Sequence, residues 1–344
     1  MSRRSEITID LGAFRRNVER MRAAAAPAEV WAVVKADGYG HGILDVARAA
    51  LDAGASALCV ASAGEGDAVR GALPDARILV VGPLAPGEDD VARRARLEAA
   101  VSSPRAVPEG LDVHLKVDTG MGRWGMSPED ARAVPRERVV GVMSHLATAE
   151  EEDQTHVRAQ IERFEEVVRD FPGVTAHLAN SAAALALPES RFDAVRSGVA
   201  LYGLSPFGRD PAEHGLEPVL SWRSYVALAK TLETGESAGY GRRFVAAGPT
   251  RIGVVPVGYG DGFRRGLMGA QVLVGGARRR VVGAVSMDAI AVELDGESEG
   301  APVTLIGDGL LVEEHARHLG TINYEVTTGI RSDPLRATRT VLDG

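Results

Sequence analysis

The sequence predicts an α/β protein in which a (β/α)8 TIM barrel is followed by a mostly β C-terminal domain. Three observations support this prediction. Eight short apolar runs, with helical stretches between several of them, fill the chain from about residue 30 to 205. The rhythm changes to β-rich segments after about residue 215. Polar side chains collect where the apolar runs end, as they do at the carboxyl ends of barrel strands.

The first part of the chain alternates strand-like and helical patterns, which is typical of βα repeats. Eight parallel strands with crossover helices favour a barrel, with a doubly wound open sheet as the alternative. Ser127 followed by Pro128 is typical of an N-cap and first helical turn. A helix expected over 153–171 places Val157, Ile161, Phe164 and Val168 on one face. The eight runs are 31–35, 57–62, 77–82, 98–102, 113–118, 139–145, 176–180 and 194–198.

The second part is β-rich and is divided by Gly, Pro and Asp turns. A helical pattern is scarce there, apart from 312–319, and a strand-like segment at 6–11 precedes the first barrel strand. We therefore expect a barrel domain over 8–214 and a β-rich domain over 215–344, with residues 1–7 pairing with the latter. The expected strands of the second domain are 225–232, 252–257, 271–274, 280–285 and 303–306.

The composition is that of an ordinary soluble globular protein, with 45% hydrophobic and 25% charged residues. A net charge of -8 argues against nucleic acid as a partner. No apolar run approaches the roughly 18 residues that a membrane span needs, and residues 1–4 lead into a strand without a secretory apolar region. The single cysteine, Cys59, lies in an apolar run and is expected to be a buried strand residue. These observations predict a cytoplasmic protein with neither a nucleic-acid nor a membrane partner.

Lysine is scarce in this chain. There are three lysines, Lys35, Lys116 and Lys230, against 36 arginines. A coding bias toward arginine accounts for the skew, but under such a bias lysine should persist where a guanidinium cannot replace it. Imine formation with an aldehyde needs an amine that can lose its proton, which arginine does not supply.

The ends of the predicted strands carry a basic set of side chains. A lone histidine at a strand end is more often structural than catalytic, and an arginine there is often a surface ion-pair partner. Lys35 differs, because an apolar strand ends in an amine whose burial lowers its pKa and makes it nucleophilic. Together the set predicts a site for an anionic ligand. Its members are Lys35, Lys116, Arg123, His145, Ser181 and Arg196.

Other chemistries find less support. The glycine-rich segment 38–42 could present backbone N–H groups to a phosphate, although most such segments are only turns. There is no cysteine pair, no His-Glu-x-x-His motif and no clustered acidic loop, so no metal site is expected. No G-x-S-x-G motif supports a serine hydrolase.

The segment VVKADGYGHG at 33–42 resembles the cofactor-lysine signature of the alanine racemases, which are fold-type III pyridoxal-phosphate enzymes. Several blocks in the family's order are more specific than any one of them, and the resemblance covers essentially the whole chain. The further blocks are 116–123, 180–183, 196–203, 238–241, 256–262, 286–288 and 321–326.

The resemblance implies a role for each matching residue. Lys35 matches the lysine that carries pyridoxal phosphate, and Arg196 and His145 match residues at and near the pyridine nitrogen. Arg123 matches the arginine beside the cofactor's phenolic oxygen and the substrate carboxylate, and Lys116 a lysine that is carbamylated in some members. The positions that hold the phosphate are matched by Tyr39, Ser181, Gly198, Val199 and Tyr324. The residues that the partner subunit brings to a shared site are matched by Tyr240, Tyr259, Met287 and Asp288.

The resemblance thus implies a homodimer that racemises L- and D-alanine and supplies D-alanine for peptidoglycan. Racemisation needs proton transfer on both faces of a planar α-carbon, which implies two bases, Lys35 and Tyr240. Two departures from the family pattern are local: Gly38 stands where alanine is common, and Gly239 where many relatives have serine.

Three alternatives remain open. The first is a racemase of another small amino acid such as serine, because small side chains differ in binding by only about 1–3 kcal/mol. The second is a non-catalytic pyridoxal-phosphate-binding protein, although such proteins resemble the barrel alone. The third is a basic-amino-acid decarboxylase of the same fold type, which places an acidic residue where Arg196 stands.

Overall fold

The computed structural model describes residues 4–344. Over this span the chain forms two compact units. One unit is Ala13–Glu217, and the other joins Pro218–Gly344 to the described residues up to Gly12. These units lie close to the domain division expected from the sequence, which stays a prediction. Of the residues 1–7 expected to pair with the β-rich part, the first three lie outside the described residues.

The unit Ala13–Glu217 contains a closed parallel barrel, which confirms the predicted (β/α)8 fold. Each strand pairs with the next one along the chain, and the last pairs with the first at Trp31 and Arg196. This closure excludes an open sheet. Among the described residues, the barrel strands are β2 (Glu29–Val33), β3 (Ala57–Val60), β4 (Ile78–Val80), β5 (Glu98–Val101), β6 (Val113–Lys116), β7 (Val139–Met143), β8 (Thr175–His177) and β9 (Ala194–Ser197).

The helices of this part of the chain have 6 to 15 residues, and most of them connect successive strands. They are α1 (Leu11–Ala25), α2 (Lys35–Gly40), α3 (Ile43–Asp52), α4 (Ala63–Ala72), α5 (Glu88–Arg94), α6 (Pro128–Ala133), α7 (Thr155–Arg169) and α8 (Ser181–Ala186).

The helix expected over 153–171 is α7, and its apolar face is the predicted one with a single change. Val157, Ile161 and Phe164 are buried, but Val167 is buried where the prediction placed Val168. The predicted N-cap is confirmed, because the Ser127 hydroxyl accepts a hydrogen bond of 3.0 Å from a backbone N–H in the first turn of α6.

The segment α2 has the left-handed rather than the right-handed sense. Ala36, Asp37, Gly38 and Tyr39 all have φ between 52° and 60°. A left-handed conformation costs roughly 1–2 kcal/mol for each residue that has a Cβ. Three of the four are not glycine, so contacts around this turn must hold it in place. The turn directly follows Val34, and its backbone sets the positions of the Cα atoms of Lys35 and Tyr39.

The second unit is built on one long mixed sheet and a small two-stranded sheet, β12–β13. Within residues 4–344 the order of the long sheet is β11-β14-β17-β16-β15-β18-β10-β1-β19. The strands are β1 (Ser5–Asp10), β10 (Leu220–Tyr225), β11 (Leu228–Leu232), β12 (Ser237–Ala238), β13 (Phe244–Val245), β14 (Thr250–Val255), β15 (Gln271–Val274), β16 (Ala277–Val282), β17 (Ile290–Glu293), β18 (Pro302–Ile306) and β19 (Ala337–Leu342). The helices are α9 (Val312–Leu319) and α10 (Asn323–Thr328).

The mostly β character of this unit is confirmed, with changes in detail. The segment expected as one strand over 225–232 belongs to two strands, β10 and β11, because the chain turns at Val226 and Ala227. The expected helix at 312–319 is α9, and the strand expected at 6–11 is β1, which pairs with β10 and β19. The strands β12, β13, β17 and β19 and the helix α10 were not predicted.

The barrel interior is apolar near its first strands. Trp31, Cys59 and Leu79 are fully buried there. This confirms Cys59 as a buried strand residue, and burial raises the pKa of its thiol to about 12. In the part of the chain that is described, no helix combines the length and apolar character needed to span a bilayer.

Candidate active site

Lys35 lies just beyond the carboxyl end of β2, as the sequence predicted. Burial lowers the pKa of its amine, and the positive charges of Arg123 and Arg196 lower it further. The amine is therefore more readily deprotonated than an exposed lysine, which is the condition for attack on an aldehyde.

Lys116 ends β6 on the same side of the barrel. Burial, together with the charges of Arg196 and Arg123, lowers the pKa of its amine to about 7. Its Nζ donates a hydrogen bond of 3.0 Å to the carbonyl oxygen of Val81. A large fraction of this amine is thus neutral near pH 7, so it is a nucleophile as well as a hydrogen-bond donor.

Arg123 stands on a loop that a single carboxylate organises. Asp118 accepts hydrogen bonds from the backbone N–H groups of Gly120, Met121 and Gly122 over 2.8–3.2 Å. The next residue in the chain, Trp124, adds a cation–π platform. Its ring centroid lies 5.3 Å from the Arg123 guanidinium carbon and 5.2 Å from Lys116 Nζ.

Arg196 in β9 is almost completely buried and is held by barrel acceptors. Its Nη1 donates to His177 Nδ1 and to the His177 carbonyl oxygen, both at 2.8 Å. Its Nη2 donates to the carbonyl oxygens of Ser144 and Leu178, at 2.6 and 3.2 Å. These contacts use the four Nη hydrogens, which leaves the Nε–H as the donor for a ligand. Burial lowers the pKa of Arg196 to about 10, so the group stays charged at neutral pH.

His145 follows β7 and is neutral at neutral pH. Burial lowers the pKa of its imidazole to about 3, with further lowering by the charges of Arg196 and Arg123. Its Nδ1 lies 3.4 Å from Arg196 Nη2. The sequence prediction did not include His177, the other imidazole on Arg196. The sequence signal that could have indicated His177 is a polar residue within the apolar run 176–180. Its hydrogen-bond partner, His114, lies in β6, two strands earlier in the barrel.

The four phosphate-site candidates of the barrel, Tyr39, Ser181, Gly198 and Val199, lie at the start of a 3-10 helix, Val199–Tyr202. The Ser181 hydroxyl accepts hydrogen bonds from the backbone N–H groups of Gly198 (3.0 Å) and Ala200 (3.4 Å). A Cβ at Gly198 would lie 2.6 Å from the Tyr39 hydroxyl oxygen, so only glycine permits this approach. The turn α2 therefore contributes the Tyr39 hydroxyl here. Several N–H groups of segment 38–42 bond within the turn instead.

Tyr39 is supported from behind by a second tyrosine. Its ring stacks on Tyr202 at a centroid distance of 4.8 Å, and the Tyr202 hydroxyl donates a hydrogen bond of 2.9 Å to the Val33 carbonyl oxygen. These contacts connect the left-handed turn to β2 and to the 3-10 helix.

The second unit brings three of its candidates together. The backbone N–H of Tyr259 bonds to Ser286, and that of Gly260 bonds to the carbonyl oxygen of Met287 at 2.9 Å. Asp288 accepts a hydrogen bond of 2.8 Å from Arg336. Tyr324 lies in α10, in a segment of the sequence separate from these loops.

Tyr240 is the most exposed aromatic side chain of the described residues, with 75% of its surface accessible. The residue before it, Gly239, has φ of 71° and ψ of -176°, a conformation that side chains avoid. A Cβ at Gly239 would also lie 3.1 Å from the Ala284 carbonyl oxygen. This explains the glycine where relatives often have serine, since a serine would require a different backbone.

The residues of the barrel fit pyridoxal phosphate. They offer an amine of lowered pKa, a buried guanidinium with a free Nε–H, and the hydroxyls of Tyr39 and Ser181 beside the start of a 3-10 helix. An aldehyde, a ring nitrogen and a phosphate need these three features. Over residues 4–344 no group of three His, Cys, Asp or Glu side chains is arranged to hold a metal ion.

Comparison with known proteins gives one family for both units. The model of the N-terminal domain of alanine racemase matches residues 9–206, and that of the C-terminal domain matches residues 219–338. Alanine racemase 1 of Bacillus subtilis is 40% identical over 350 residues, covering 94% of this chain and 90% of that protein.

Solved structures agree along the whole chain. The crystal structure of alanine racemase from E. faecalis has a TM-score of 0.92 at 34% identity, covering 99% of this chain and 98% of the other. That of alanine racemase from Bartonella henselae with covalently bound pyridoxal phosphate has a TM-score of 0.91 at 26% identity, covering 99% and 100%.

Proposed function

The chain belongs to the alanine racemase family, and on that premise we propose that it binds pyridoxal phosphate through Lys35 and interconverts L- and D-alanine. The two bases are Lys35 and Tyr240 of the partner subunit. The observation that carries the proposal is the buried amine of Lys35, whose pKa is lowered beside Arg123 and Arg196.

The barrel residues hold the cofactor. Lys35 would bind its aldehyde, and Tyr39, Ser181, Gly198 and Val199 would hold its phosphate, with Tyr324 as a further hydroxyl. Arg196 would face the pyridine nitrogen, and His145 lies beside Arg196. The bound cofactor acidifies the α-hydrogen of an amino acid by delocalising the electron pair left on the α-carbon.

Two side chains move protons in this proposal. The Nζ of Lys35 takes or returns the α-proton on one face of the substrate, and the Oη of Tyr240 of the partner subunit does so on the other. One base cannot easily reach both faces of a planar carbon, so inversion needs both. Lys35 is suited to the task because its lowered pKa makes the neutral amine, the form that accepts a proton, more available than in an exposed lysine.

Cationic side chains orient the substrate and limit side reactions. Arg123 binds the substrate carboxylate, and Lys116 lies close enough to share the Trp124 ring with it. The neutral amine of Lys116 is also the form that reacts with carbon dioxide, so we include its carbamylation in the proposal. Arg196 does not readily give up a proton, and it therefore does not fully protonate the ring nitrogen. Because the ring nitrogen is not fully protonated, return of the proton to the α-carbon of the substrate is favoured over its return elsewhere.

The proposal includes a cytoplasmic homodimer that supplies D-alanine for peptidoglycan. Tyr240, Tyr259 and Met287 are exposed apolar side chains, which suits residues that a partner subunit covers. Together with Asp288 they would complete the partner's site. A single, buried cysteine agrees with a reducing compartment.

Hydrogen exchange in D2O tests the reaction and the substrate together. The purified protein with pyridoxal phosphate is incubated with L-alanine, D-alanine, L-serine and L-lysine, and deuterium at the α-carbon is followed by NMR. We expect exchange and inversion to be fastest with alanine. Faster inversion of serine would identify the protein as a serine racemase instead. Release of carbon dioxide from lysine would identify it as a decarboxylase. No exchange with any substrate would overturn it.

The variant Tyr240→Phe tests the second base. We expect it to bind the cofactor normally, to exchange the α-hydrogen of one enantiomer, and to lose inversion by about 100-fold or more. Unchanged inversion in both directions would remove Tyr240 from the reaction.

A further inference from the structure

A chain of hydrogen bonds crosses the barrel interior from Arg196 to a carboxylate at the opposite end of the strands. Arg196 Nη1 lies 2.8 Å from His177 Nδ1, and His177 Nε2 lies 2.8 Å from His114 Nδ1. His114 Nε2 in turn lies 2.8 Å from Glu98 Oε2. Glu98 is the first residue of β5, whereas Arg196 lies near the carboxyl end of β9. Arg77 donates its Nε–H to both Glu98 oxygens, at 2.8 and 3.1 Å.

The barrel is shaped around these imidazoles. The side chains of His114 and His177 are fully buried. A Cβ at Gly141 in β7 would lie 2.0 Å from His114 Nδ1, so glycine is required for the ring to fit. Trp31 packs on both rings, at centroid distances of 5.7 and 4.6 Å.

The charges along the chain follow from burial and from the partners. Burial lowers the pKa of His177 well below its ordinary value, and it also lowers that of His114. Burial alone would raise the pKa of Glu98, but the hydrogen bonds from His114 and Arg77 lower it. At neutral pH a charged guanidinium and a carboxylate thus stand at the two ends, with two neutral imidazoles between them.

These charges allow one assignment of the protons. A carboxylate only accepts, so His114 must donate from Nε2, and its Nδ1 is then the acceptor. His177 must therefore donate from Nε2 to His114 Nδ1, which leaves His177 Nδ1 to accept from Arg196. Both histidines have the proton on Nε2, and every hydrogen bond in the chain points from Arg196 toward Glu98.

We propose that Glu98 is a positioning residue of the racemase site: acting through His114 and His177, it fixes the proton arrangement that makes His177 Nδ1 an acceptor for Arg196. This inference rests on the proposed role of Arg196 at the pyridine nitrogen. This series of hydrogen bonds keeps one Nη hydrogen of Arg196 bound to His177 inside the barrel. It thereby sets the direction in which the Nε–H of Arg196 points. The residues that determine the orientation of Arg196 then include Glu98, at the amino end of the barrel strands.

The first test needs neither cofactor nor activity. In the wild-type apoprotein labelled with 15N-histidine, NMR at neutral pH should show both His114 and His177 protonated on Nε2 alone. A proton on Nδ1 of either residue, or a doubly protonated ring, would overturn the proposal.

The second test reverses the chain. In Glu98→Gln, Arg77 should hold the amide oxygen and turn the amide NH2 toward His114 Nε2, which must then accept. His114 would donate from Nδ1 to His177, and His177 would present an Nδ1–H to the N–H of Arg196. We expect the proton on both histidines to move to Nδ1. The double variant Arg77→Met/Glu98→Gln frees the amide to turn its oxygen to His114, and the wild-type tautomers should return.

Activity of the holoenzyme is the third readout. The loss of one Arg196 contact in Glu98→Gln should lower kcat for alanine by about tenfold with little change in KM, and the double variant should recover most of it. Glu217→Gln is the matched control, because Glu217 pairs with Arg16 over 2.7–3.1 Å on the barrel surface and is not a member of this series of hydrogen bonds.

The two proposals fail in different ways. Glu98→Gln with lowered stability but unchanged tautomers and kcat would assign Glu98 a structural role only. The expected tautomers in a protein that does not racemise alanine would overturn the proposed function instead, and with it the role of Glu98 in the reaction.

Discussion

At the scale of single residues, the barrel site is a set of basic groups in which burial decides the charge. Lys35 and Lys116 both have lowered amine pKa values, His145 is neutral, and Arg196 remains charged. One site thus contains two amines that can act as nucleophiles beside a guanidinium that cannot.

The small number of lysines allows a controlled test of Lys35. We expect Lys35→Arg to abolish the covalent attachment of pyridoxal phosphate and its absorbance, and to lower racemase activity by at least about 100-fold. Lys230→Arg, on exposed β11, is the control and should match the wild type. Cofactor that stays covalently attached in Lys35→Arg would show that another amine binds it.

Lys116 predicts a stability that depends on pH. Its pKa falls from 10.5 to about 7 on folding, so between these values the unfolded chain binds a proton that the folded chain lacks. Stability from this residue therefore rises with pH across that window, and the cost of burying the charge is complete below the folded pKa. We expect Lys116→Met to stabilise the fold by about 1–2 kcal/mol below the folded pKa. This net value allows for the loss of the hydrogen bond to the Val81 carbonyl oxygen.

The gain from Lys116→Met should shrink as the pH approaches 10. The measurement is the free energy of unfolding in urea at several pH values, in buffer depleted of carbon dioxide, with Lys230→Met as the exposed control. A gain that does not vary with pH, or a loss at low pH, would contradict the lowered pKa.

Sequence reasoning found the residues at the strand ends but not those inside the barrel. Lys35, Lys116, His145 and Arg196 interrupt or end apolar runs, and the position of a strand end can be read from the pattern. His114 and His177 lie within the runs, where an alternation of inward and outward side chains does not distinguish a structural histidine from a functional one. Their importance depends on contacts between strands that are far apart in the sequence.

At the scale of elements, the left-handed turn α2 explains why this chain has glycine at position 38. A Cβ at Gly38 would lie 2.7 Å from Cγ2 of Val46 in α3. The alanine found in similar proteins therefore does not fit here without a change at Val46. Local propensity could not predict this turn, because three of its four left-handed residues carry side chains.

A double-mutant cycle tests this contact. We expect Gly38→Ala to destabilise the fold by about 1–3 kcal/mol, through overpacking and through the left-handed φ of 60° at this position, and Val46→Ala to recover about 1 kcal/mol or more of the overpacking loss in the double variant. Gly71→Ala in α4 is the control, since a Cβ there meets no atom within 4 Å. Additive losses in the urea unfolding of the two single variants would show that the two positions do not interact.

The strands were easier to predict than their ends and turns. Each of the eight barrel runs overlaps an observed strand, because a strand covered on both faces is a continuous apolar run. In the second unit the same continuity misled the prediction, since the turn at Val226 and Ala227 lies inside an apolar stretch. The strand β19 was missed because its polar residues, such as Arg339, give no apolar run.

At the scale of the whole molecule, the proposed site needs two chains, and mixing variants tests this. Lys35→Ala and Tyr240→Phe should each be nearly inactive as homodimers. After the two are mixed and allowed to exchange subunits, half of the dimers would be hybrids, each with one intact site, so about a quarter of wild-type activity should return. Mixing Lys35→Ala with Lys35→Arg is the control and should restore nothing.

Recovery of activity in the first mixture alone would establish a shared site. Absence of recovery, with hybrid formation shown by a differently tagged subunit, would mean that Lys35 and Tyr240 serve the same chain. The sequence indicated this sharing only through resemblance to a family, because no pattern within one chain shows which copy a side chain serves.

The place of β1 in its sheet also affects how the chain is made. β1 lies between β10 and β19, so its hydrogen-bonding neighbours on both edges are synthesised much later than β1 itself. Until those strands leave the ribosome, both edges of β1 lack the neighbours that pair with them in the folded protein. An exposed strand of this kind is a site for mispairing. Chaperones that bind nascent chains would find their target in this segment rather than in the barrel.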